Sequence, residues 1–385
     1  MAGLNLGVQA SADRNLHDLH MAEADFDQAP FTIAWEITRA CANACVHCRA
    51  DAQHRRDARE LSTQDGYRLL ERFKAFGSPI VIFTGGDPMM RPDLFDLIGY
   101  AAGLGLRCSL TPTATALPTE ERLAQAKQAG IRRIALSLDA PNAELHDGFR
   151  GVGGSWERTM RILRNAQAVG LSAQVNTTVS RHNVDRLEDM VRFVQEVGAV
   201  QWSVFFLVPT GRGQGEQMIT PHEHERVFHW LYDLSQASSF DIKATAAPMY
   251  RRVAIERKRQ SLLDGGPEVA AGSLTFQGAG FQYTDGLNRP TKGVNDGRGF
   301  LFISHRGEIM PSGFLPLPAG DVREVDVVET YRNHPLFRDL RDPAKLKGRC
   351  GRCPYKVVCG GQRGRAYAVT GDYLETDPAC AYDPA

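Results

Sequence analysis

The chain lacks any run of about 18 apolar residues, so nothing in it reads as a membrane-spanning helix. It has no excess of charge: Lys+Arg and Asp+Glu stand at 45 each, which excludes a global basic field that would gather nucleic acid or anionic lipid. Aromatic residues are only 8% of the total, and no repeat is visible beyond an alternation of strand-like and helix-like stretches. The opening segment, MAGLNLGVQASADRNLHDLH, has neither a basic start nor an apolar stretch of signal-peptide length. These absences predict a cytoplasmic protein whose partner is a small molecule or another protein, with no nucleic acid and no membrane. At 385 residues the chain exceeds the size at which a single core stops growing, about 250 to 300 residues, and two units are expected.

From Phe31 onward, β-branched runs alternate with amphipathic stretches. The expected strands are TIAWEI (32–37), IVIFT (80–84), LRCSLT (106–111), IRRIALSL (131–138), LSAQVNTTV (171–179) and VQWSVFFLV (200–208). One intervening helix has Ser62 as its N-cap and Tyr67, Leu70 and Phe73 on one face. Six β-α units in series predict an α/β protein built on a partial (β/α)6 TIM-like barrel over 31–245, after an N-terminal arm at 1–30. Residues 246–297 read as a bridge whose basic run MYRRVAIERKRQ forms a solvated face, and residues 298–385 as a smaller C-terminal domain that opens on a hairpin around His305-Arg306-Gly307.

What the chain does have is eight cysteines, seven of them in two groups. In a reducing compartment such groups bind metal or do chemistry more often than they form disulfides. Cys41, Cys45 and Cys48 follow the first strand at C-x3-C-x2-C. Three thiolates on one loop suit three corners of a four-iron cube with the fourth iron open, whereas a structural zinc needs four ligands and would have to recruit His47. Cys350, Cys353 and Cys359 stand at C-x2-C-x5-C, with Cys380 further on. Four thiols without a paired histidine fit zinc or an iron–sulfur cluster by spacing alone. Cys108 lies inside a strand pattern and reads as a buried core thiol.

The first group resembles the signature of the radical S-adenosylmethionine enzymes, and further matches fall at later strand ends. FTGGDP (83–88) looks like the family's GGEP-type motif, with Asp87 where Glu is commoner. The resemblance implies a partial or full barrel with a 4Fe-4S cluster at its C-terminal mouth. That cluster's open iron chelates S-adenosyl-L-methionine, which reductive cleavage converts to methionine and a 5′-deoxyadenosyl radical. It assigns cofactor contacts to His47, Gly85, Gly86, Asp87 and Pro88, to Ser137 and Asp139 in SLD, to Asn176 in QVNTT, and to Val208 and Pro209 in LVPTGRG. Arg150 and Arg158 are candidates for the methionine carboxylate. The second cysteine group resembles a SPASM or twitch auxiliary-cluster domain. Its departures, Ser312 and Gln362 where full members carry Cys, imply one auxiliary 4Fe-4S cluster held by Cys350, Cys353, Cys359 and Cys380, not two.

Within that family the phrases CVHCRADA, FISHRGEIMPSGFLPL and CGGQRGRAYAVTGDYLETDPAC look most like the haem-biosynthesis branch of iron-coproporphyrin decarboxylases and d-type haem enzymes. The resemblance implies a porphyrin substrate, with oxidative decarboxylation or removal of its propionates, and an electron donor such as flavodoxin or ferredoxin. The alternative partner is a ribosomally made peptide modified by a SPASM-type maturase. The short stretch before the first expected strand leaves little room for the N-terminal peptide-binding module such maturases carry. Arg181, Arg212, Arg251 and Arg252 are candidate carboxylate clamps, since their forks match carboxylate geometry. His182 and His305 are candidate iron ligands, with a hydrogen-bonded structural role favoured for each. The catalytic acid or base is left unassigned.

Overall fold

A computed structural model describes residues 25–264 and 293–384. Most of the expected N-terminal arm and the middle of the expected bridge lie outside these residues. Seven parallel strands follow one another in spatial order: β1 (Thr32–Glu36), β2 (Ile80–Thr84), β3 (Arg107–Leu110), β4 (Ile131–Ser137), β5 (Ser172–Val179), β6 (Gln201–Phe206) and β7 (Asp241–Thr245). Sequential neighbours linked by crossover helices curl into an open α/β barrel of the TIM type, as parallel strands with right-handed connections do. The count of six strands falls one short, because β7, DIKAT, carries Asp and Lys and lacks the apolar density of the others.

The expected hairpin forms from β8 (Phe300–Ile303) and β9 (Ile309–Met310), turning at Gly307 with φ +95°. It does not stand apart from the barrel. β8 pairs in parallel with β1, Thr32 against Phe300 through Trp35 against Ile303, so the sheet has nine strands in the order β7-β6-β5-β4-β3-β2-β1-β8-β9.

The helices α1 (Thr63–Lys74), α2 (Leu94–Gly103), α3 (Glu120–Ala129), α4 (Ala143–Arg150), α5 (Ser155–Ala168), α6 (Leu187–Glu196) and α7 (Pro221–Ala237) link successive strands. α1 starts on a reciprocal capping box between Ser62 and Asp65, and Leu69, Leu70 and Phe73 bury its inner face. The basic run becomes α8 (Tyr250–Leu263), and the expectation of a solvated face there is wrong for its first half. Arg252, Val253, Ala254 and Ile255 are buried, and Arg252 is paired with Glu225 and Glu256. Exposure begins only at Arg259. Cys108 is a core thiol as expected, and burial pushes it up to about 12. No helix among the described residues is long and apolar enough to cross a membrane.

The C-terminal segment adds α9 (Val327–Asn333), α10 (Pro335–Arg341), α11 (Gly348–Arg352) and α12 (Arg363–Thr370). Arg365 of α12 staples it to the barrel. The guanidinium pairs with Asp377 at 3.1 Å, both side chains fully buried, and donates to the carbonyls of Leu207, beyond β6, and Ala246, beyond β7. Removing one partner of such a pair leaves a buried uncompensated charge, so Arg365→Met is expected to destabilise the fold by about 3–5 kcal/mol. Chemical denaturation with and without the substitution measures the difference.

Candidate active site at the barrel mouth

The backbone leaves β1 at Glu36 and forms a loop that closes on itself through a bridge between Ala40 and Gln53, with the Cys41 N–H donating to the Gln53 carbonyl at 2.7 Å. Neighbouring strand ends press against this loop. The N–H groups of Gly86 and Asp87 donate to the carbonyls of Thr38 and Ala40 at 2.8 and 2.7 Å. A Cβ on Gly85 would strike the Thr38 carbonyl, and one on Gly86 would strike those of Arg39 and Ala40. The glycine pair is therefore required by the approach of two backbones, rather than by a ligand alone as the motif suggested. Gly211, at φ +66°, meets the Cys48 and Arg49 carbonyls in the same way. Beside it the Arg212 side chain donates to the Cys45 carbonyl at 2.9 Å and to Ala52 and Asp51, so this expected substrate clamp instead holds the cysteine loop.

Below the loop lies a buried carboxylate hub. Glu36 accepts from Arg39 at 3.1 Å, from Arg49 at 2.7 Å and from His305 Nδ1 at 3.0 Å. Burial opposes its ionisation, but Arg49, His305 and Arg39 together hold its carboxyl at about 2. His305 is 2% exposed and locks the β8–β9 turn against β1, the structural role favoured from sequence.

Cys41, Cys45 and Cys48 line one cavity of about 220 Å³ at the C-terminal mouth of the barrel. Each sulfur faces an N–H donor: Asn43 N to Cys41 at 3.4 Å, Arg150 Nη1 to Cys45 at 3.7 Å, and Ala52 N to Cys48 at 3.4 Å. His47, Gly85, Gly86, Ser137, Asn176 and Val208 share the wall, while Asp87, Pro88, Asp139 and Pro209 are not part of it. Asp87 is fully buried and accepts from Thr115, Met89 N and Thr113 N. Burial outweighs these bonds and raises its pKa. Asp139 pairs with Arg150 and accepts from Thr178 N at 2.8 Å; burial disfavours its charge, yet Arg150, with His47 and His146, keeps it below the usual carboxylate range. Both aspartates thus position other groups.

His47 stacks on Phe149, ring centroids 3.8 Å apart, and Phe149 stacks in turn on His182. Burial and the nearby Arg150 lower His47 to about 3, so the ring is neutral. Its Nδ1 and the Asn43 Nδ2, on residues that both line the cavity, are buried without a partner. His182 is exposed, with Nε2 on the Leu145 carbonyl at 2.7 Å. Sequence reading missed Asn43, Thr111, Thr113, Thr178 and Phe314 in the wall, because loop asparagines, threonines and a distant phenylalanine carry no motif.

The mouth opens into the barrel lumen, a cavity of about 630 Å³, and the two share Arg49, Thr84, Thr111, Asn176, Phe205 and Phe314. Alternate strand residues point inward. Ala34, Ile82, Phe300, Phe302 and Met310 pack as one apolar cluster on the β1/β2/β8/β9 side, and all but Met310 line the lumen. Gln174, Asn176 and Ser203 supply a polar side opposite. Of the four expected clamps only Arg251 reaches the lumen. Its guanidinium donates to the Val358 and Val294 carbonyls and has no carboxylate partner among the described residues; burial pulls its pKa down to about 10. Arg181 binds the Met218 carbonyl on the surface, and Arg158 the Ala114 and Gly153 carbonyls. The second cysteine group flanks α12: Cys350 lies in α11, Cys353 and Cys359 between α11 and α12, and Cys380 beyond α12. Gly361 N donates to Cys359 Sγ at 3.4 Å and Arg363 Nη2 to Cys350 Sγ at 3.6 Å, and burial raises Cys359 to about 12 and Cys380 to about 11. Ser312 and Gln362 line the lumen.

A model of the Radical SAM superfamily matches residues 35–194. The AdoMet-dependent heme synthase of Oleidesulfovibrio alaskensis is 43% identical over 354 residues, spanning 91% of this chain and 87% of that protein. The protein of the same name from Methanosarcina barkeri is 41% identical over 92% of this chain and 97% of its own length. The chain belongs to the radical SAM superfamily. In fold it is similar to SuiB of Streptococcus suis, with a TM-score of 0.68 at 16% identity over 99% of this chain and 85% of that one.

Membership in the radical SAM superfamily makes the chain an enzyme and implies a 4Fe-4S cluster with S-adenosylmethionine, and the mouth fits both. Neutral thiols accept hydrogen bonds poorly, so three sulfurs each met by an N–H suit anionic thiolates on a cluster. The unpartnered nitrogens of Asn43 and His47 are what a polar ligand would complete.

Two further histidines tie the fold to pH. His146 and His224 are buried, and burial first, then Arg150 and Arg365 respectively, lower both to about 4. Each has a buried Nε2 with no partner. The folded state therefore binds fewer protons than the unfolded state between pH about 6.5 and about 4. Stability should fall as pH drops through that window, by up to about 1.4 kcal/mol per pH unit for each ring. Thermal midpoints measured from pH 7 to 5 are expected to decline, and His224→Phe to flatten the decline; equal slopes in both proteins would contradict the assignment.

Proposed function

We propose that this radical SAM enzyme acts in haem synthesis, as the name of the heme synthases it resembles indicates, and that it does so by decarboxylating porphyrin propionates. The observation that carries the reading is the lumen. Its volume of about 630 Å³ falls within the range of small-molecule sites, about 300–1,000 Å³. One side is apolar, the other polar, and it runs directly into the cysteine-lined mouth. A flat macrocycle with carboxylates at its rim suits such a space: its face packs on Phe300 and Phe302, and its edge meets hydrogen-bonding groups. Arg251, half-buried at the lumen wall with no carboxylate partner among the described residues, is a group that a propionate would neutralise.

In this reading Cys41, Cys45 and Cys48 hold the cluster that, with bound S-adenosylmethionine, supplies the hydrogen-abstracting radical. Gly85 and Gly86 bring the second strand end against the cofactor loop. Ser137 and Asn176 face the ribose, Val208 the adenine side, and His47 offers its unpartnered Nδ1. Asp139 orients Arg150, Asp87 and Pro88 brace the β2 end, and Pro209 shapes the turn before Gly211. Cys350, Cys353, Cys359 and Cys380 hold one auxiliary 4Fe-4S cluster. A flavodoxin- or ferredoxin-type protein supplies the electron that starts the reaction.

Anaerobically reconstituted enzyme given S-adenosylmethionine, dithionite and iron-coproporphyrin is expected to release 5′-deoxyadenosine and a product lacking CO2 and two hydrogen atoms per propionate, read by mass spectrometry. Unchanged porphyrin would refute the substrate. Replacing Cys41, Cys45 and Cys48 by alanine should abolish both products. Arg251→Ala should raise KM for the porphyrin about tenfold or more, the loss of one charge-assisted contact at about 1.5–3 kcal/mol, and leave cleavage of S-adenosylmethionine without porphyrin unaltered.

A further inference from the structure

Among the described residues two arginines touch cysteine sulfurs, and they differ in one respect. Arg150, on Cys45, is neutralised by Asp139. Arg363, on Cys350, has no carboxylate partner among the described residues, although it is only 2% exposed. Its Nη1 donates to the Tyr373 and Glu375 carbonyls at 3.1 and 2.7 Å, its Nε to the Gly361 carbonyl at 3.2 Å, and its Nη2 to Cys350 Sγ at 3.6 Å. Two positions along, Arg365 has the counter-charge that Arg363 lacks. Taking an ion out of water costs several kcal/mol, and carbonyl dipoles alone leave the net charge standing. Asp296, Asp372 and Asp377 act on the guanidinium electrostatically without forming an ion pair with it, and the Cys350 sulfur is its remaining polar contact. The turn is shaped for this approach: Gly361, at φ +64°, sits where a Cβ would crowd both the guanidinium and the Cys350 sulfur.

We propose that Arg363 is a redox-positioning residue: its guanidinium, hydrogen-bonded to the Cys350 sulfur and without an ion-pair partner among the described residues, stabilises the extra negative charge of a reduced cluster on Cys350, Cys353, Cys359 and Cys380, and so raises that cluster's potential. This rests on reading those four cysteines as an auxiliary iron–sulfur site. Positive charge and hydrogen bonds at cluster sulfurs favour the reduced state. At the mouth Asp139 cancels much of that effect for Arg150, which leaves the first cluster the stronger reductant of the two. The proposed reaction needs this ordering. Removing hydrogen from the propionate carbon β to the carboxylate leaves a carbon radical. Cleavage of the bond to the carboxylate then releases CO2, forms the vinyl double bond and leaves one electron. That electron passes to the oxidised auxiliary cluster, reducing it by one.

The test isolates the second site by carrying Cys41→Ala, Cys45→Ala and Cys48→Ala in the full chain, reconstituted anaerobically. Iron analysis and EPR-monitored redox titration are then compared with and without Arg363→Gln. The expected result is a full four-iron complement in both and a midpoint lower by at least 59 mV in the glutamine variant, a tenfold change in a one-electron equilibrium. Arg363→Lys, which keeps the charge but not the fork, should fall between them, and it decides the matter if the glutamine variant fails to fold: a lowered midpoint supports the proposal. Iron-loaded variants whose midpoint stays at that of the parent overturn the role of Arg363. A parent that binds no iron, or binds zinc, overturns the auxiliary-cluster reading itself.

Discussion

The organising constraint of this molecule is that three sulfurs must be held apart on one loop, each supplied with a hydrogen-bond donor. A 12-residue excursion between Ala40 and Gln53 achieves this by closing on itself and leaning on the ends of other strands. The strand ends approach so closely that Gly85, Gly86 and Gly211 tolerate no side chain, and Arg212 ties the loop from outside. Beneath it the Glu36 hub gathers two arginines and His305 at a position no water reaches. A shift of this loop would disturb the Cys41, Cys45 and Cys48 donors together, since they arise from its backbone and from Arg150 at its edge.

The C-terminal segment belongs to the same machine. β8 extends the barrel sheet beside β1, and its Phe300 and Phe302 form the apolar side of the lumen. Phe314, from the turn beyond the hairpin, lines both cavities, and Arg365 fastens α12 to the ends of β6 and β7. The space in which a substrate meets the cysteine loop is thus built jointly by residues from both ends of the chain. This joint construction also brings Ser312 and Gln362 to the lumen wall, at the positions where a fuller cysteine pattern was absent.

Much of this was legible beforehand, and for a local reason. Strand and helix periodicity, the Ser62 cap and the cysteine spacings are properties of neighbouring residues, so the barrel and the cysteine loop could be read from the chain. Strand β7 escaped because its apolar signal is weak, and the basic run at 249–260 misled because Arg251 and Arg252 enter the interior with carbonyl or carboxylate partners that lie far away in sequence.

By itself the sequence determined the fold class, the seven grouped cysteines and the order of the strand-end motifs, because each rests on spacing along the backbone. Only the tertiary structure decided which motif residues face the cavity and which do not. It placed Asp87 and Asp139 in supporting positions, turned Arg212 toward the cysteine loop and left Arg251 and Arg363 without carboxylate partners among the described residues. Those outcomes depend on burial and on charges brought together across many strands, and a pattern of neighbours along the chain does not contain them.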